Sequence, residues 1–298
     1  MMETVKTGVT VGYQGVPGAY SEEALLSFLP ESHPASYRTL QDLFAALADG
    51  QIERAFVPVE NSHAGSVVEA YDLMLDYPVT VQAEWVHPVH HYLLGIEGAE
   101  PSEIERVYSH PQALAQTATF LRQARLDTEP YYDTAGAAQM VAERQDRRYA
   151  AVASRLAGER YGLAVLAEGI QTSADNATRF FLLAPGAWDP ERTVKGERPG
   201  KTSLIFSVEH KPGALVRALS SFAREHVNLA RLESRPSRQR PWEYMFFTDV
   251  EGYTDEPKVR NALRELVRLN PFVRILGSYP AAVQSAASRQ SANGGKVQ

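Results

Sequence analysis

Val9-Thr10-Val11-Gly12-Tyr13-Gln14-Gly15-Val16-Pro17-Gly18-Ala19-Tyr20-Ser21 is the stretch on which the reading of the fold turns. The short apolar run from Val9 to Tyr13 has strand character, and the glycines and proline that follow form a turn. Ser21 is placed to cap a helix, with Glu22 and Glu23 in its first turn and Ala24, Leu25, Phe28 and Leu29 at helical spacing. Strand, glycine-rich turn and helix is a unit of an α/β fold.

The unit recurs. Leu40, Leu43, Phe44 and Leu47 mark a second helix, and Ala55–Val59 a buried strand. Val79–Ala83 and His90–Leu94 read as strands, and Ser102–Glu105 has the spacing of a capping box. Val107-Tyr108 leads to Pro111, which suits the first position of a helix carrying Leu114, Ala118 and Leu121. Tyr149–Ala153 and Phe180–Leu183 complete a pattern that predicts mainly parallel sheets. Pro185, Gly186, Pro190, Gly196, Pro199 and Gly200 lie among charged residues, which predicts a linker over 186–200. Beyond it, Thr202–Val208, Leu229–Arg235, Glu243–Val250 and Phe272–Leu276 read as strands, with helices at Leu215–Phe222 and Val259–Val267. The order βαββαβ is that of a ferredoxin-like module over 201–282, and the small polar residues of 283–298 predict a disordered tail.

Composition narrows the function. The 298 residues contain no cysteine, which excludes disulfides, thiolate metal sites and cysteine nucleophiles. With a net charge of −6 and no basic stripe interleaved with aromatics, nucleic acid is not expected as a partner. The N-terminus lacks a signal-peptide pattern and no apolar run is long enough for a bilayer, so the expectation is a cytoplasmic protein without a membrane partner.

Four motifs of the first 185 residues resemble those of the prephenate dehydratases: Gly12–Ser21, Pro58-Val59-Glu60-Asn61-Ser62-His63-Ala64-Gly65-Ser66-Val67, Ser109-His110-Pro111-Gln112-Ala113-Leu114-Ala115-Gln116, and Asn176-Ala177-Thr178-Arg179-Phe180. The C-terminal module is similar to the ACT domain of that family, with Gly213-Ala214-Leu215-Val216 and Glu233-Ser234-Arg235-Pro236 as its two ligand motifs. The resemblance implies a catalytic region over 1–185 built as two α/β lobes around a cleft, like a periplasmic binding protein. It implies conversion of prephenate to phenylpyruvate with loss of carbon dioxide and water, and no cofactor or metal. It further implies feedback by L-phenylalanine at the ACT domain and a homodimer or homotetramer. Arogenate dehydratase, which yields phenylalanine directly, is the neighbouring activity, and a non-catalytic amino-acid sensor is the reading from another class.

Aromatisation drives the implied reaction, so what the ring hydroxyl needs is a proton donor as it leaves. The resemblance gives that place to Thr178, whose hydroxyl, a very weak acid, serves as a positioned donor; the alternative is a cap. Arg179 either clamps a substrate carboxylate or makes an internal ion pair, and in extended backbone it faces away from Thr178. Phe180 belongs to the core or walls the ring. Glu60 and Asn61 end a strand, where ligands bind in α/β sheets, with Asn61 a donor to substrate and Glu60 its tuner or a helix cap. Ser62, Gly65 and Ser66 offer backbone amides or make a plain turn. Ser109, Gln112 and Gln116 share a spacing of three and four on one helical face, and His110 is a cap. The glycine-rich turn is read as facing substrate. His87, His90 and His91 are read as structural rather than metal ligands. In the ACT module, Gly213, Ala214, Leu215 and Val216 present helix amides to an amino-acid carboxylate. Asn228 is a further donor, and Glu233, Ser234, Arg235 and Pro236 approach a partner subunit.

Overall fold

A computed structural model describes residues 8–236 and 244–282. Within them, residues 8–70 and 86–180 form one compact unit and residues 71–85 and 181–282 another. The tail predicted as disordered lies outside the described residues.

The first unit opens with β1 (Thr10–Gln14), α1 (Tyr20–Phe28), β2 (His33–Tyr37), α2 (Leu40–Ala48), β3 (Arg54–Asn61) and the short β4 (Gly65–Ser66). β1 pairs in parallel with β2 and β3, while β4 turns back antiparallel on β3. Gly12 sits under α2, where a Cβ would meet Leu43 and Ile52 side chains at 2.5 Å. Ser21 does not cap α1. The N-cap is Ala19, and Glu22, buried and paired with Arg160, accepts the Gly18 N–H at 2.6 Å. The helix begins at Tyr20, so Ser21 lies inside its first turn, and no side chain caps it.

α3 (Val68–Asp76) and β5 (Val79–Pro88) follow, and a five-stranded second sheet begins with β6 (Tyr92–Gly95). His90 and His91 lie before that strand rather than in it. The capping box falls at Glu100 and Glu103 around a 3-10 turn, two residues before the predicted place, because Pro101 fixes the turn start. Then come β7 (Arg106–Ser109), α4 (Pro111–Gln116), α5 (Ala118–Gln123), β8 (Asp127–Pro130), α6 (Thr134–Arg144), β9 (Tyr149–Ala153), α7 (Arg155–Tyr161), β10 (Ala164–Glu168) and β11 (Ala177–Pro185). The helix predicted to run through Ala118 breaks at Thr117, whose hydroxyl donates to the Ala113 carbonyl at 2.8 Å.

The second sheet has the order β10-β6-β9-β7-β8 and the first β2-β1-β3-β11-β5. The second is mixed rather than mainly parallel. Strands β7, β8 and β9, joined by helical crossovers, pair in parallel, whereas β6, which enters without a crossover helix, is antiparallel to β9 and β10. Its core holds Leu94, Ala138, Val141 and Ala153 on one side and Leu93, Val107, Leu121 and Val152 on the other.

The second unit contains β12 (Gly200–Ser207), α8 (Ala214–Arg224), β13 (Leu229–Pro236), β14 (Tyr244–Glu251), α9 (Pro257–Leu269) and β15 (Phe272–Pro280). This is the expected βαββαβ order, folded into an antiparallel sheet β13-β14-β12-β15. Leu204, Phe206, Phe222, Val250 and Leu266 form its core with both helices. Among the described residues no helix is long and apolar enough to cross a membrane.

Candidate active site

The first unit contains a cavity of about 280 Å³. Asn61 reaches it from the end of β3, Thr178 from β11 and Asn176 from the residue just before that strand, Gln112 and Gln116 from α4, and Tyr20 from α1. Val67, Val89 and Ala113 supply apolar wall, and His91, His110, Asp133 and Thr134 complete the lining.

Asn61, Thr178, Asn176, Gln116, His91 and Tyr20 form one hydrogen-bonded chain whose polarity can be worked out from one end. The Asn61 Oδ1 accepts the His63 and Ala64 N–H groups at 3.1 and 2.9 Å. A backbone N–H can only donate, so the orientation of that amide is settled. Its Nδ2 therefore faces Asn176 Oδ1 at 2.9 Å and Thr178 Oγ1 at 3.0 Å. Asn176 then turns its own Nδ2 to Gln116 Oε1 at 3.1 Å. His91 Nε2, 2.7 Å from the same oxygen, must be a donor, and its Nδ1 accepts from the Tyr20 hydroxyl at 2.6 Å. Burial lowers the His91 pKa and raises that of Tyr20 well above its usual value, which keeps the imidazole neutral and the phenol a donor.

Asn176 keeps one Nδ2 hydrogen beyond the one given to Gln116, and two further groups keep donors. Thr178 accepts from Asn61, so its own hydrogen is available, and Gln116, whose oxygen accepts twice, keeps its Nε2 hydrogens. Thr178 and Asn61 share one side of neighbouring strands. Their sequence neighbours Arg179 and Glu60 take the other, paired with each other at 3.6 Å and outside the cavity lining. This is the alternation expected of extended backbone. Phe180 is 2% exposed and stacks on Phe56 at 4.6 Å, which makes it core.

Other expected members stand elsewhere. Ser109 ends β7 instead of lying on a helix; it is fully buried and donates to the Val152 carbonyl at 2.6 Å. Ser62 bonds both ways across to Asp175 and Ala177, and Gly65, in left-handed backbone at φ 79°, turns β3 into β4. Neither lines the cavity. The glycine-rich turn contributes Tyr20 alone. Gly18 instead packs against α7, where a Cβ would lie 2.9 Å from the Ala157 Cα, and its carbonyl accepts the Ser154 hydroxyl at 2.6 Å. His110 caps α4 through Nδ1. His91, Asp133, Thr134, Val67 and Val89 were not singled out as site residues from sequence. His91 belonged to a histidine cluster read as structural, Val67 closes the motif that begins at Pro58 but carries only an aliphatic side chain, and Val89, Asp133 and Thr134 belong to none of the motifs.

In the second unit, Gly213–Val216 line a cavity of about 400 Å³ with Tyr244 and Phe246. Gly213 is the N-cap of α8 in left-handed backbone at φ 78°, and no side chain caps the helix amides. The register of β13 divides the other motif. Ser234 and Pro236 pair with the cavity residues Phe246 and Tyr244. On the opposite face Glu233 bonds to Arg231, Arg231 stands 4.2 Å over the Tyr71 ring, and Arg235 reaches Asp72 at 3.4 Å. Asn228 donates to Glu251 at 3.0 Å and is not part of the cavity. Among the described residues no group of three or more His, Asp or Glu side chains is placed to hold a metal ion.

Comparison with known proteins identifies the family of both regions. Residues 11–187 match the family model "Prephenate dehydratase" and residues 202–268 the model "ACT domain". The chain is 41% identical over 286 residues to arogenate dehydratase 1 of Petunia hybrida, covering 91% of this chain and 66% of that protein. The crystal structure of prephenate dehydratase in complex with L-Phe from Arthrobacter aurescens superposes with a TM-score of 0.83 at 30% identity, over 95% of this chain and 97% of the other. A structure described as GqqA, a novel type of quorum quenching acylase, superposes with a TM-score of 0.85 at 35% identity, over 91% of this chain and 98% of the other. The chain belongs to the prephenate dehydratase family, with an ACT domain following the dehydratase region.

Proposed function

We propose that this chain removes water and carbon dioxide from prephenate to give phenylpyruvate, and that the same ring chemistry extends to arogenate. The observation that carries the reading is Thr178, which lines the cavity and whose oxygen accepts from Asn61, so that its hydroxyl is left to donate. The prephenate dianion takes up one proton as the ring C–O bond breaks to release water and the C–C bond to the ring carboxylate breaks to release carbon dioxide. Thr178 donates to the departing oxygen, and the Gln116 amide holds a second acceptor of the substrate. The described residues that line the cavity include no lysine or arginine. A cation clamped on the ring carboxylate would stabilise the ground state more than the transition state, in which that charge is leaving. Neutral donors and the walls of Val67, Val89 and Ala113 suit a carboxylate that must be lost.

On this reading L-phenylalanine binds at Gly213–Val216, where no side chain caps the start of α8, and inhibits the dehydratase, in a cytoplasmic homo-oligomer. The similarity to a structure described as an acylase raises amide hydrolysis as a second reading. Against it, the partner of the Thr178 hydroxyl is the Asn61 amide nitrogen, which is no base.

The test is turnover of prephenate by the purified chain at neutral pH with no cofactor added, read as phenylpyruvate. Thr178→Ala is expected to lower kcat by about 100-fold or more with an unchanged melting temperature. Retention of full activity in that variant removes Thr178 from the mechanism.

A further inference from the structure

We infer that Asp133 reads the α-substituent of the substrate side chain and favours an α-ammonium over an α-keto group, so that arogenate is preferred to prephenate. The inference rests on the dehydratase reading and concerns which member of the substrate class the cavity fits.

Asp133 is the N-cap of α6 and lines the cavity next to Thr134. One carboxylate oxygen accepts the Gly136 N–H. A carboxylate carries two oxygens and about four acceptor sites, so the cap leaves acceptor capacity over. Among the described lining residues Asp133 is the one Asp or Glu, and none is Lys or Arg. The other polar groups are neutral amides, hydroxyls and imidazoles, and His91 is held neutral by burial.

Burial also pushes the Asp133 pKa up, and the Gly136 and Ala135 amides, His110 and the exposed Arg38 do not fully offset it. The carboxylate is thus short of compensating charge, and a cation at this point would complete it. The two substrates differ at the side-chain α-carbon. The ammonium of arogenate supplies three donors to an acceptor-only carboxylate. The keto oxygen of prephenate would set acceptor against acceptor. Discrimination comes from both the attraction and the clash.

The plainer role for Asp133 is the helix cap alone. Asp133→Asn and Asp133→Ser keep a side-chain oxygen for Gly136 and remove the charge. The measurement is kcat/KM for arogenate and for prephenate with the full chain, together with calorimetric Kd for both. The unsubstituted chain is expected to favour arogenate, and each variant to lower the arogenate-to-prephenate ratio by about tenfold or more in both readouts. A ratio unmoved in both variants leaves Asp133 as a cap and overturns the inference. If neither substrate is turned over, the dehydratase reading fails instead, and the ratio of Kd values still decides whether Asp133 distinguishes the ammonium.

Discussion

At the scale of the residue, the site is a problem of orienting weak groups. In the proposed reaction Thr178 is too weak an acid to protonate a leaving hydroxyl by itself, and what would suit it to that role is an oxygen already engaged by Asn61. That amide is in turn fixed by two backbone N–H groups. Ser109 is a different case: its hydroxyl is spent on the Val152 carbonyl, in a buried spot behind α4. Ser109→Ala is therefore expected to cost about 1–3 kcal/mol of stability, seen as a lower denaturant midpoint. Its kcat/KM should change far less than that of Thr178→Ala. A loss of turnover as deep as that of the threonine variant, with unchanged stability, would put Ser109 back among the reacting groups.

At the scale of the element, the segment before β6 joins α1 to α4 through His91. The segment 89–91 is tied to the returning chain by Val89 N–H to Asn176 O at 2.8 Å and Ile170 N–H to His91 O at 3.2 Å. Its imidazole passes the bond polarity from Tyr20 to Gln116. Because burial depresses the folded pKa of His91, the unfolded chain takes up the proton first. The stabilising contribution is complete above the unfolded value of about 6.5 and is lost as pH falls toward the depressed folded value. The melting temperature of the wild-type chain should accordingly fall more steeply than that of His91→Gln between pH 7 and the acid end of this window. Parallel curves for the two proteins would show that His91 does not titrate on unfolding. Strand alternation explains another pair at this scale, since Arg179 and Glu60 neutralise each other on the face away from the cavity.

At the scale of the whole chain, the second unit includes Tyr71–Trp85 together with the ACT sheet. Arg231 and Arg235 meet Tyr71 and Asp72 on α3, a helix that begins one residue after the cavity-lining Val67. Ser234 and Pro236, on the other face of the same strand, share the face of the Gly213 cavity. One strand thus carries cavity-side and α3-side residues in alternation. Arg235→Ala is expected to leave phenylalanine binding by calorimetry within about threefold while weakening inhibition by roughly fivefold or more. Equal loss of binding and inhibition would make Arg235 a ligand contact instead.

Much of this organisation was legible in the chain itself. Period-two and period-3.6 patterns gave the α/β class and the βαββαβ module, because burying one face of a strand or helix leaves a local periodic record. The same alternation separated Thr178 from Arg179. Local chemistry was less reliable at helix ends: α1 starts ahead of Ser21, and the Thr117 back-bond split one predicted helix into two. What only the tertiary structure decided is which polar groups share the cavity. Tyr20, His91, Gln116 and Asn176 come from four separated segments, and Asp133 from a fifth. No local pattern records such a meeting, because hydrogen-bond partners are chosen by the packing of one sheet against another and not by their spacing along the chain.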